Sequence, residues 1–103
     1  MNTRRVVVTG IGALTPLGKS APDFWNGLVS GKSGIRNIEH FDTTNFATKF
    51  AAQVEDYNTE DYFERKDGRR LDLVAQYALV ASKEAIEDSG LDLEMIDKDR
   101  VAV

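Results

Sequence analysis

One segment limits the folds open to this chain. From Leu71 to Ala81 the residues run Leu-Asp-Leu-Val-Ala-Gln-Tyr-Ala-Leu-Val-Ala. Wound as a helix, that stretch is apolar around nearly its whole circumference, the pattern of a helix buried on all sides. The helical pattern extends from about Gly68 to Ser89 and stops at Gly90. Its several alanines permit close approach of neighbours on more than one side. Its second half carries Lys83, Glu84, Glu87 and Asp88, which read as a solvated face. The whole chain has 103 residues. A domain of about that size buries only about two thirds of its unfolded surface. Whatever covers the central helix has to be economical, and its apolar surface exceeds what the remaining elements can cover.

Those remaining elements form an alternating pattern. Val6-Val7-Val8, three β-branched residues followed by Gly10 and Gly12, read as a strand buried on both faces, as in a parallel sheet flanked by helices. The two glycines allow sharp turning or close backbone packing. Ser20 is a predicted helix cap, with Pro22 in the first turn and Asp23 three residues on. Phe24, Trp25, Leu28 and Val29 then supply a buried stripe, and Gly31 stops the helix. Residues 35–58 are less regular, with a short strand predicted within Lys49 to Val54. Asn58 is a cap for a short helix through Phe63. Val101-Ala102-Val103 reads as the opening of another buried strand. Strand, helix, irregular insert, long helix, strand is an α/β pattern cut off early.

Composition removes several classes of function. The chain holds 13 Lys+Arg against 17 Asp+Glu, a net charge of −4, and is 42% hydrophobic and 29% charged. That is an ordinary globular composition, and its acidic balance argues against a dedicated nucleic-acid binder. No apolar run approaches the ~20 residues that span a bilayer. The stretch MNTRRVVVTG is too short in apolar residues for a secretory signal, so a cytoplasmic protein is expected. There is no cysteine, hence no disulfide, thiolate metal site or cysteine nucleophile within these residues.

Four motifs invite chemistry. Gly10-Ile11-Gly12-Ala13-Leu14 opens like a dinucleotide fingerprint, but Thr15 stands where the third glycine is needed. Gly31-Lys32-Ser33 resembles the end of a phosphate loop, yet Asn26 occupies the earlier glycine position and the segment follows a helix instead of preceding one. His40, the sole histidine, has no second imidazole or thiol beside it, so no metal site is assigned. The carboxylates, scattered and forming no motif, have no positioned partner for acid–base work. The fourth motif is Arg65-Lys66-Asp67-Gly68-Arg69-Arg70, with four basic residues in six positions on an acidic chain. Read as the start of the long helix, it sets cations where the macrodipole disfavours them. Such a broken local rule often marks a site, here one suited to an acidic protein surface or a phosphate group.

Three strings carry a family resemblance over all 103 residues: RRVVVTGIGALTPLG, GKSGIRNIEHFDTTNFATKFAAQV and ERKDGRRLDLVAQYALVASKEAIEDSGLD. Together they resemble the N-terminal end of the β-ketoacyl-acyl carrier protein synthase II family, the elongating condensing enzymes of bacterial fatty-acid synthesis. The resemblance implies a thiolase-like layered α/β fold of which residues 1–103 are the N-terminal part, and a homodimeric subunit several times longer. It implies a decarboxylative condensation of malonyl-carrier protein with an acyl chain held as a cysteine thioester, assisted by two histidines and without a cofactor. No catalytic residue carries over, because cysteine is absent and His40 lacks the glycine-rich setting of the family's histidines. What carries over is the docking patch for acyl carrier protein: Lys66, Arg69 and Arg70 occupy the matching positions, with Arg65 beside them. Two other readings stand next to it, a stand-alone carrier-binding module without catalysis and an unrelated nucleotide-binding α/β domain.

Overall fold

A computed structural model describes residues 2–103. Three α-helices run through it: α1 at Ala21–Val29, α2 at Arg65–Gly68 and α3 at Leu73–Ser89. A two-stranded antiparallel hairpin pairs β1, Ile35–Asn37, with β2, Phe50–Ala52. Single 3-10 turns occupy Thr59–Asp61 and Lys98–Arg100.

The helix ends follow from local chemistry. Ser20 Oγ accepts from the Asp23 amide at 3.2 Å and Pro22 sits in the first turn of α1. At the other end Gly31 adopts φ +70°, which lets the Gly31 and Lys32 amides reach back to the Leu28 and Gly27 carbonyls. This is the left-handed stop that glycine makes without a Cβ penalty. Asn58 caps the Thr59–Asp61 turn through the Glu60 amide. Gly90, at φ +66°, closes α3.

The predicted short strand is present as β2, and Ile35–Asn37, read as irregular, supplies its partner. Ile35 stands opposite Ala52, and Asn37 opposite Phe50. Arg36 and Glu55 form an exposed ion pair at 2.9 Å. The connecting loop is held by an Asx turn, in which Asp42 accepts from the Thr44 amide and hydroxyl at 3.0 and 2.6 Å. Those two donors hold the Asp42 carboxyl below the ordinary aspartate range.

Several expectations are corrected. Val6–Val8 and Val101–Val103 form no strand among the described residues, because neither finds a chain segment to complete a ladder. Val6 and Val8 are 94% and 81% exposed. The stripe on α1 is not buried either. Trp25 is 63% exposed, and the buried residue is Gly27, which packs on Leu17. α3 is likewise not buried all round, with Val74 at 78% and Leu73, Leu79 and Ile86 also exposed. No hydrophobic side chain is buried among the described residues. The radius of gyration, 17.8 Å, exceeds the roughly 13 Å of a compact chain this long. The layers that an all-apolar helix requires are not supplied by residues 2–103.

Candidate docking surface and the helix that carries it

The long helix begins later than its sequence pattern indicates. Asp72 caps it, its Oδ1 accepting from the Ala75 amide at 2.9 Å. The basic cluster therefore lies outside α3, on the separate one-turn helix α2 and the bend that follows. Arg65 and Lys66 belong to the last turn of α2, Arg69 is its C-cap and Arg70 comes next. With Asp72 as the cap of α3 the cluster no longer sits at the start of the long helix, and a single turn such as α2 has too few aligned peptide units for its dipole to decide where cations stand. What remains is the clustering itself. Arg65, Lys66, Arg69 and Arg70 are all exposed, and none forms an ion pair among the described residues. A shallow cleft of about 320 Å³ between the Thr59–Asp61 turn and α2 is lined by Thr59, Glu60, Arg65, Gly68 and Arg69.

Under this basic bend sits the most buried side chain among the described residues. Gln76, 3% exposed, uses all four of its hydrogen-bonding positions. Its Oε1 accepts from the Tyr57 hydroxyl at 2.8 Å and from Thr59 Oγ1 at 2.9 Å. Its Nε2 donates to the Gly68 carbonyl at 3.1 Å and the Leu71 carbonyl at 2.9 Å. A buried amide is tolerated at little cost only when satisfied in this way. Tyr57 is framed by Tyr77, edge to face at 4.9 Å, and by Tyr62, stacked at 5.4 Å. Burial, then the neighbouring Tyr77 and Tyr62, push the Tyr57 phenol upward, so it stays a neutral donor. Gly68 packs directly on the Thr59 methyl, and a Cβ there would collide with it.

The other half of α3 holds the glycine segment. A Cβ on Gly12 would overlap the Ala81 carbonyl and come within 2.9 Å of the Ala85 amide. A Cβ on Gly10 would meet the Ala85 carbonyl and lie 2.7 Å from the Ser89 amide. The Gly-x-Gly pair is thus a seat for the backbone of α3, and no space for a phosphate lies between them. The amides of the alternate residues land on carboxylates. Ile11 donates to Asp88 Oδ2 at 3.0 Å and Ala13 to Glu84 Oε2 at 2.8 Å. Glu84 Oε1 accepts a third amide, that of Ala21 at 2.7 Å, at the open N-terminus of α1. Glu84, read from sequence as part of a solvated face, is instead half-buried, whereas Asp88 is exposed as read; both also accept from backbone amides of the N-terminal segment. Their spacing of four residues sets them one helical turn apart, facing amides two residues apart on an extended strand of chain.

The remaining candidates take structural places. Gly31-Lys32-Ser33 is the stop of α1. His40 is exposed, with Gln53 Nε2 at 3.0 Å from its Nδ1 and Phe41 edge-on at 5.1 Å. No group of three or more potential metal-ligating side chains gathers among the described residues. No helix there is long and apolar enough to cross a membrane. Gln76, Glu84 and Asp88 were missed as structural residues. The signal for Gln76 was present, since a lone amide in an apolar helix demands buried partners.

The fold places the chain among ketosynthases. It superposes with a TM-score of 0.71 and 32% identity on the ishigamide ketosynthase/chain length factor, covering 88% of this chain and 23% of that one. It superposes with a TM-score of 0.70 and 28% identity on a beta-ketoacyl synthase from Burkholderia phymatum, covering 94% and 24%. The fold class is therefore the thiolase-like α/β type, of which this chain forms a part. Residues 3–103 match the model of the beta-ketoacyl synthase N-terminal domain, and the chain belongs to that family. It is 48% identical over its whole length to a 3-oxoacyl-[acyl-carrier-protein] synthase 2 of Vibrio cholerae serotype O1, and 37% identical to one of Synechocystis. The chain spans about a quarter of the length of these relatives.

Proposed function

We propose that residues 1–103 are the N-terminal part of an elongating condensing enzyme of fatty-acid synthesis, and that they supply scaffold and carrier docking to it but not its nucleophile. The observation that carries this reading is the 48% identity over the whole chain to a 3-oxoacyl-[acyl-carrier-protein] synthase 2. The reaction is a decarboxylative condensation of malonyl-carrier protein with an acyl group held as a cysteine thioester. With no cysteine in the sequence, the acyl-enzyme forms on residues outside this stretch. The same reading makes the working enzyme a cytoplasmic homodimer.

Lys66, Arg69 and Arg70 form the docking patch for the acidic acyl carrier protein, with Arg65 adjoining. Their exposure and freedom from ion pairs support this assignment. Charges of this kind govern encounter and salt sensitivity more than chemistry. In the full enzyme, Arg69→Glu with Arg70→Glu raises the KM for carrier-linked substrate about tenfold at low salt. Turnover of a small thioester without the protein changes little. The penalty shrinks toward ~0.5 M salt, where screening reaches only a few Å. Unchanged carrier affinity at low salt would reduce the cluster to a solvated bend. The stand-alone module reading predicts instead that this 103-residue chain is the mature product in its source cell, which intact mass tests directly.

A further inference from the structure

We propose that Gln76 is the positioning residue of the carrier-docking surface, its side-chain amide fixing the backbone from which Arg69 and Arg70 project. The inference rests on the docking reading above. The two carbonyls that accept from Gln76 Nε2 belong to Gly68 and Leu71, the residues immediately flanking Arg69 and Arg70. One planar amide therefore brackets the arginine pair from beneath, at 3.1 and 2.9 Å. Apart from it, residues 68–70 are tied by three backbone bonds, Gly68 amide to Glu64 carbonyl at 2.9 Å, Arg69 amide to Arg65 carbonyl at 3.3 Å and Arg70 amide to Asp67 carbonyl at 3.0 Å, whereas Leu71 is held only through its carbonyl to Gln76. The orientation of the amide is itself determined. The Gly68 and Leu71 carbonyls can only accept, so the NH₂ group has to face the bend, and Oε1 is left to accept from the Tyr57 and Thr59 hydroxyls.

The physical consequence concerns entropy. A long arginine side chain loses freedom when it meets a partner, and a fixed stem removes backbone motion from that loss. A mobile bend would leave the charges present but spread over many positions, weakening a patch that has to match a partner's carboxylates. Gly68 supports the same arrangement, because its lack of a Cβ lets the bend lie on Thr59, the second donor to Gln76.

The test uses the full enzyme, with acyl-carrier protein and a small acyl thioester as parallel substrates. Gln76→Leu is expected to raise KM for the carrier-linked substrate about fivefold at low salt, leaving its kcat and the small-thioester rate in place. In an Arg69→Glu/Arg70→Glu background, Gln76→Leu adds no further loss, because it acts only through those charges. A purely structural role would give additive losses on both substrates. If Gln76→Leu does not fold, Tyr57→Phe with Thr59→Val removes both donors to Oε1 and leaves the amide in place. That variant is expected to raise the carrier KM in the same direction by about twofold. Where reversing the arginines weakens carrier binding but the Gln76 and Tyr57/Thr59 variants leave KM unchanged, the positioning role is overturned and the docking patch stands. Proportional loss on the small thioester overturns it too. A neutral arginine reversal overturns the docking reading, and the inference with it.

Discussion

The two halves of α3 are fastened by opposite means. Its N-terminal half is held by a neutral amide, Gln76, whose partners all lie within 19 residues of it in sequence. Its C-terminal half is held by two carboxylates, Glu84 and Asp88, whose partners lie 63 to 77 residues away. The first arrangement is a local knot in which donors and acceptors are matched one to one. The second is a long-range clamp in which charged acceptors serve amides that neither sheet nor helix satisfies. A charge-assisted bond is worth about 1.5–3 kcal/mol, against about 1 for a neutral one. Bond for bond the clamp is the stronger where it is part-buried, at Glu84, while Leu73, Val74, Leu79 and Ile86 of the helix stay exposed.

The largest test of that contrast is the isolated 103-residue chain. With its apolar side chains at most half-buried among the described residues, it gains only part of the burial that drives folding, and a domain's net stability is only about 5–15 kcal/mol. We expect no sharp two-state melt by near-ultraviolet circular dichroism, and self-association in sedimentation. A monomer with a cooperative transition would show that the polar clamps suffice. Next in size, Glu84→Ala in the full enzyme orphans the Ala13 and Ala21 amides and should cost about 3 kcal/mol in urea unfolding. Glu84→Gln keeps one good acceptor and should cost about half as much. Hydrogen exchange should quicken at Ala13 and Ala21 while residues 57–71 keep their protection. If both regions loosen together, the two halves of α3 are not separate fastenings. Gly12→Ala presses a methyl into the backbone of α3 and should cost about 2 kcal/mol by overpacking, read as a lower melting temperature.

The smallest effect belongs to the hairpin loop, whose ties are as local as those of Gln76. Thr44 favours the charged form of Asp42, so its folded pKa lies below the unfolded one. The support it gives is complete above the ordinary aspartate range and is lost as pH falls through the lowered folded value. A carbon-detected titration should show Asp42 ionising below an unperturbed aspartate, and Thr44→Val should return it toward the ordinary value.

Features set by neighbours in sequence were legible; features set by distant partners were not. Ser20, Asn58, Gly31 and Gly90 announced their turns because a cap acts within a few residues. Asp72 was overlooked because the apolar pattern begins on either side of it, and this displaced the basic cluster onto the wrong helix end. Glu84 and Asp88 were read without their amide partners because the sequence gives no sign that Ile11 and Ala13 lie opposite. Val6–Val8 shows the converse. The residues favour a strand, but a ladder needs a second chain segment. The basic patch was visible as composition, whereas the amide beneath it became visible only with its four partners in place.

Glu84 and Asp88 also impose an order in time. Residues 11–21 leave the ribosome first, yet the carboxylates that receive their amides are made 63 to 77 residues later. At about 5–20 residues per second the N-terminal segment waits roughly 3–15 s with the Ile11, Ala13 and Ala21 amides without these acceptors. During that interval the bare Gly-x-Gly backbone is open to chaperones and to neighbouring nascent chains. The bend around Gln76 closes within some twenty residues of synthesis, so the basic cluster can take its place before the N-terminus has anything to rest on.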